Sequence, residues 1–206
     1  MKTAIKTLSA AALLLFTLAC SKDDDDTIKI QGHDKNQMMI LMHEMMMEMD
    51  MMVPSMDPDN DFATMMMMHH QGAINMANAE LKDGNDTVIK ALAQQVITAQ
   101  KAEMQQLKAF LTGHPAHIMV MEAHEKMKMS MEKMTKNADL QIINGDADHD
   151  FSILLIQHHQ SAIEMAQIEL DYGTHDNMKQ LARMMIEEQG MEIKELQEWL
   201  LANGRN

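Results

Sequence analysis

A chain of 206 residues that is 46% hydrophobic is long enough for one or two packed domains, yet only 3% of it is aromatic and 28 residues are Met. Three Pro and eight Gly are too few for a turn-rich β protein and favour helices. A formal net charge of −14, with no basic stripe, argues against nucleic acid as a partner and gives a general attraction for cations.

At the N-terminus, Lys2 and Lys6 precede an apolar run, Ala10 to Leu18, that ends at Ala19-Cys20. The run is too short to span a membrane permanently and reads as a signal peptide over residues 1–19. Cys20 is the only cysteine, so no intramolecular disulfide can form. Its position resembles a bacterial lipoprotein cleavage site, where the cysteine is acylated, although Thr17 stands where Leu is usual. Ser21-Lys22 and Asp23 to Asp26 resemble the surface-export signal of some Gram-negative lipoproteins. The expectation is an exported, lipid-anchored protein on the periplasmic or cell-surface side of the outer membrane. Residues 20–34 then form a flexible tether, and residues 35–206 one helical domain.

The first predicted helix runs from about Lys35 to Met52, stopped by Val53-Pro54. Residues 38–52 hold nine Met and one Leu. At 100° per residue, Met38, Met39, Met42, Met45, Met46, Met49 and Met52 fill an arc of about 140°, the width of a buried stripe; Met47 and Met51 lie opposite. Core packing accounts for such a stripe but not for the residue type, because Leu packs as well with better-defined rotamers. His43 lies within about 60° of Met39 and Met46, so Met39, Met42, His43 and Met46 are candidate metal ligands.

An internal duplication organises the remainder. Asp61-Phe62, His69-His70-Gln71, Ala73-Ile74, Met76-Ala77 and Glu80-Leu81 recur 89 positions later as Asp150-Phe151, His158-His159-Gln160, Ala162-Ile163, Met165-Ala166 and Glu169-Leu170. The same offset carries Gly84 to Gly173, Gln100 to Gln189, Glu103 to Glu192 and Phe110 to Trp199. Each repeat, about 61–112 and 150–201, reads as a helical hairpin with an N-capping Asp and a Gly in the turn. Two hairpins predict an all-α four-helix bundle, with two Met/His-rich helices flanking it.

On the helix wheel His69, Met76 and Glu80 fall within about 40° of one another, and His158, Met165 and Glu169 repeat the arrangement. Buried, hydrogen-bonded histidines that fix register would give the same pattern. So would ligands, since imidazole is a common metal donor and thioether sulfur selects soft ions. His69, His70, Met76, His158, His159 and Met165 are therefore candidates, with Met66 from the run leading into His69. Gln100, Glu103, Gln189 and Glu192 are candidate partners that orient the imidazoles, or ordinary interhelical hydrogen bonds. The second flanking helix is expected from Pro115 to about Lys136, with His117, Met121, His124 and Met131 on one face. His117, Met121 and His124 complete the candidate set.

Thioethers need no deprotonation and survive in an oxidising compartment, which suits Cu(I) or Ag(I), with His and Glu able to hold Cu(II). Zinc would want one compact Cys/His/carboxylate set and calcium an oxygen loop.

The duplicated Phe…His-His-Gln-x-Ala-Ile-x-Met-Ala…Glu-Leu segments, each followed by Gln-x-x-Glu and an aromatic-Leu end, resemble the domain-of-unknown-function family 305. The resemblance covers residues 35–202. It implies a ferritin-like helical fold and copper binding outside the cytoplasm in copper tolerance, with His69-His70 and His158-His159 matching the paired motif. The expected function is copper sequestration or hand-off to an exporter or carrier, without an enzymatic reaction. A Met-rich surface that grips a protein partner is one alternative. A di-iron oxidase is another, weakened because the chain contains no Glu-x-x-His.

Overall fold

The computed structural model describes residues 30–203. The signal segment and Cys20 lie outside them. Six α-helices and one 3-10 turn, and no strand, make up the described residues: α1 Gln37–Asp50, α2 Pro58–Asp83, α3 Thr87–Gly113, α4 Met121–Asp139, α5 Ala147–Tyr172 and α6 Asp176–Asn203. No helix among them is long and apolar enough to cross a membrane.

The helix starts follow local chemistry. Asn36, Asp57, Asp86 and Asp146 cap α1, α2, α3 and α5, each side chain accepting a first-turn N–H. Pro58 occupies the first turn of α2, where a missing N–H costs nothing. The caps of α2 and α5 thus lie four residues before the expected Asp61 and Asp150. Those two aspartates instead hold the preceding loops: Asp61 accepts from Ser55 and Met56 N–H, and Asp150 from Asn144 and Gly145 N–H.

Hairpins α2/α3 and α5/α6 pack through α2 and α5, with α1 laid on α2 and α4 on α5. Each hairpin clasps the turn of the other. Asp59 at the start of α2 accepts Thr174 and His175 N–H, and Asp148 at the start of α5 accepts Asn85 and Asp86 N–H. The 89-residue offset also extends beyond the hairpins. Met38, Met42 and Met45 of α1 correspond to Met127, Met131 and Met134 of α4, and all six are buried. The flanking helices are therefore part of the duplicated unit.

The core explains why small residues face α1. A Cβ added to Gly72 would overlap Met45 Sδ and lie 2.9 Å from its Cγ and 3.2 Å from its Cβ. The sulfur can swing aside, but the Cβ moves only with α1. Gly72→Ala should destabilise the protein by about 1–3 kcal/mol through overpacking. The check is a urea midpoint shift at unchanged slope.

Two expectations differ from the structure. Residues 31–36 are pinned rather than forming the end of a tether: Gln31 N–H donates to Ile143 O at 2.7 Å, and Asn36 Nδ2 to Asp150 Oδ2 at 2.7 Å. And α4 starts at Met121, not Pro115, because tertiary partners hold residues 117–120. Asp57 accepts His117 and Ile118 N–H, and Val120 N–H donates to Met56 O. His117 is consequently off the helix, and Met121, at 61% exposure, shares no buried face with Met131.

Candidate metal centre

Both histidine pairs are completely buried where α2 meets α5. The rings of His69 and His158 lie 3.6 Å apart, centroid to centroid. His158 Nε2 donates to His69 O at 2.8 Å. Ser161 Oγ donates to His158 O at 2.9 Å, so it receives the Nε2 proton of His69 at 2.7 Å. Nδ1 of each ring then carries a bare lone pair with no protein partner. Burial first, then the neighbouring imidazoles, pushes both rings well below the ordinary histidine value, so they are neutral. His70 Nε2 stands 2.7 Å from Glu103 Oε2, and His159 Nε2 2.9 Å from Glu192 Oε2. Gln100 and Gln189 are buried with both amide ends unpaired.

The sulfur-rich region has a different geometry. A cleft of about 240 Å³ opens between α1, the 51–57 loop, α2 and α4. It is lined by Met46, Met49, Met52, Met56, Met65 and Met131, and by His124. Nδ1 of His124 stands 2.9 Å from Asp61 Oδ2. The contact is an ion-pair distance rather than an aligned hydrogen bond, and the carboxylate beside Nδ1 favours a proton on that nitrogen, which leaves Nε2 to face a metal. Asp50, Glu125 and Glu132 share the rim with one cation, Lys128, which favours a cation within.

Met56 is the most unusual member. Its φ of 66° is in the left-handed region, the only such value for a non-glycine among the described residues. Its counterpart 89 positions later is Gly145, with φ 86°. Met at this position costs about 1–2 kcal/mol that Gly would not. The other lining methionines of α1, the loop and α2 are also missing from the second copy: Met46, Met49, Met52 and Met65 correspond to Thr135, Ala138, Gln141 and Leu154. The bundle folds around that loop without these five methionines, so packing does not dictate them; Met131, the sixth, corresponds to Met42 and is part of the shared core. Met56→Gly should leave stability within about 1 kcal/mol, since relief of strain offsets the loop entropy of glycine. Thermal unfolding checks this, and a soft-ion titration of the same variant checks the loss of a donor.

The family profile described as Domain of unknown function (DUF305) matches residues 15–111 and 59–200, so the two matches together span both copies. The chain belongs to the DUF305 family. Among solved structures it is similar to a DUF305 fragment from Deinococcus radiodurans, at 26% identity and TM-score 0.53, covering 72% of this chain and 98% of that one. A DUF305 protein from Streptomyces coelicolor, at 22% identity, TM-score 0.58 and coverage of 73% and 96%, shares the fold. CopM in its Cu(I)-bound form is 26% identical, with TM-score 0.54 and coverage of 70% and 96%; CopM has also been solved with Cu(II) and with silver. No curated protein sequence matches significantly.

Within this DUF305 fold the expected ligands separate into groups. His69, His70, His158 and His159 come together in the interior, and Met66, Met76 and Met165 are buried in the same core. Met39 and Met42 are fully buried and do not line the cleft. His43 turns to the surface, with Nε2 2.9 Å from Asp139 Oδ1. Met46 and His124 meet in the cleft. Met49, Met52, Met56, Met65 and Met131 join them there, although none was in the expected set. Met56 carries no periodic signal at all, and its only mark in the sequence is that it replaces the glycine of the other copy. Among the described residues, as placed, no three His, Cys, Asp or Glu side chains converge on one ion.

Proposed function

We propose that this protein binds copper as Cu(I), with Ag(I) as a mimic, in the thioether cleft closed by His124, and that it sequesters the ion or passes it on outside the cytoplasm. One observation carries the reading. Six methionines and one histidine line a single rim-accessible cleft, and the equivalent loop in the second copy has none of the corresponding α1, loop and α2 methionines. Neutral thioethers with one neutral nitrogen match a soft monovalent ion. The metal forms of CopM support copper as the ion, and the signal-like N-terminus supports export and a lipid anchor at Cys20. An exporter or carrier would receive the ion at the cleft mouth.

The histidine quartet has a different role in this reading. Its four rings are sealed from solvent, His69 and His158 are held neutral by that burial, and the quartet fixes the register of α2 against α5 across the duplication. The cleft binds without chemical turnover.

The experiment is anaerobic Cu(I) titration of the exported domain against a competing chromophoric chelator. Submicromolar uptake of at least one equivalent is expected. Absence of uptake alongside tight binding of a peptide would instead select the Met-rich gripping surface, and stoichiometric iron with ferroxidase turnover would select the oxidase.

A further inference from the structure

We propose that His114, His117 and His175 form a second, nitrogen-donor site for a borderline divalent cation such as Zn(II) or Cu(II), at the end of the bundle where the α3–α4 connection meets the α5–α6 turn. Every ring in the group is held through Nδ1. His114 Nδ1 donates to Phe110 O at 3.1 Å. His117 Nδ1 stands 3.1 Å from Asp57 Oδ2, and His175 Nδ1 stands 3.1 Å from Asp59 Oδ2. Carbonyl and carboxylate oxygens only accept, so these contacts favour the proton on Nδ1 in each ring and leave the Nε2 lone pair to a metal. This is the arrangement by which buried carboxylates fix histidine ligands in metal sites. Asp57 and Asp59 are fully buried, and they also accept three and two backbone N–H groups respectively, so the supports are rigid.

The spacings of His175 to each of the other two rings match those of ligands on a shared ion. His114 and His175 lie 4.9 Å apart, centroid to centroid, and His117 and His175 5.5 Å apart. Three imidazoles on one ion at about 2.0–2.1 Å from nitrogen, at tetrahedral angles, would have centroids about 5.2 Å apart. The rings as placed do not converge on one point, and His117, half exposed, and His175, a quarter exposed, need side-chain rotation to close the set. Phe110 stacks on His114 at 4.4 Å and meets His175 edge-on at 5.0 Å, which supplies an apolar wall.

The duplication again provides a control. The counterparts of His114 and His175 at the opposite end are Asn203 and Asp86, so the fold needs no imidazole at these positions. Three nitrogen donors without sulfur favour a borderline divalent ion over Cu(I), which makes this site independent of the thioether cleft.

The test is Zn(II) titration of the exported domain against a chromophoric chelator, with Zn(II) as a redox-silent probe. One equivalent is expected at micromolar affinity or better. His114→Gln, His117→Gln and His175→Gln should each weaken it at least tenfold while leaving Cu(I) uptake intact. Met46/Met49/Met65→Leu should leave Zn(II) uptake unchanged. Histidine-ring nitrogen NMR of the wild-type chain gives a readout that requires no variant to fold: Zn(II) should move Nε2 of these three rings and leave His69 and His158 in place. Failure of the wild-type chain to take up Zn(II), equal affinity in the three Gln variants, or shifts confined to other histidines would each overturn the site without touching the cleft.

Discussion

Replacing Met46, Met49 and Met65 together with Leu should lower Cu(I) affinity at least about 100-fold, roughly 2.7 kcal/mol, while the fold is retained. Met-to-Leu exchange conserves volume and costs less than about 1.5 kcal/mol per site, so loss of binding is separable from loss of structure. The three positions come from α1 and α2, and their counterparts Thr135, Ala138 and Leu154 show that the architecture tolerates other side chains there. Met39/Met42→Leu is the informative control. Those two sulfurs are fully buried on the same helix but outside the cleft, so Cu(I) affinity should stay within about twofold. If the control lost copper as severely as the triple variant, the ions would be held in the core stripe and the cleft assignment would fail. His124→Gln belongs to the same series. It should cost less than the triple change, because it removes one of seven donors, and the loss should be greater for Cu(II) than for Ag(I), since imidazole suits the harder ion.

The hairpins and their turns could be read from the chain because those features are local and repeated without a gap, whereas the caps of α2 and α5 were placed four residues late, at Asp61 and Asp150 instead of Asp57 and Asp146. Gly84 and Gly173 illustrate the turns. They stand where the buried Glu80 and Glu169 carboxyls fold back over the turn, and a Cβ on either would overlap a carboxyl oxygen. The candidate site was only half legible. Wheel geometry identified Met46 as part of a stripe but could not say which part of the stripe another element leaves uncovered. His117 and Met121 were placed on a helix that never reaches His117, because Asp57, sixty residues earlier, takes the N–H of His117 for itself. Met56 and Met65 needed the loop and α4 to be brought against α1, a contact with no sequence signature. The duplication of α1 in α4 was hidden because only a few core methionines survive from one copy to the other.

Stability should be level between about pH 5 and 6.5 and should fall steadily from about pH 7 to 9, the reverse of the usual gain of paired carboxylates at higher pH. The sign follows from two glutamates that face aspartates across the hairpin clasps. Burial, then the Asp148 carboxylate, raises Glu80 from 4.5 to about 8; burial, then the Asp59 carboxylate, raises Glu169 to about 9. Asp59 itself is held down to about 2: burial would raise it, but Thr174 and His175 N–H groups outweigh that. Above pH 4.5 the unfolded chain releases both glutamate protons while the folded chain keeps them. The folded state therefore binds more protons, and stability declines as pH rises towards 8 and 9. His69 and His158 act in the opposite direction. Their folded values are depressed, so they cost stability only below 6.5, where the unfolded rings protonate. The two effects offset one another from about pH 5 to 6.5, and above that range only the glutamates remain. Each carboxyl can contribute up to about 1.4 kcal/mol per pH unit. Glu169→Gln keeps the shape, removes one proton equilibrium and should halve the alkaline slope, leaving the variant more stable than the wild type at pH 8.5. Urea midpoints across the range measure this directly. A Gln variant less stable than the wild type at pH 8.5 would mean that the folded protein holds Glu169 ionised beside Asp59, against the cost that burial and like charge impose on it.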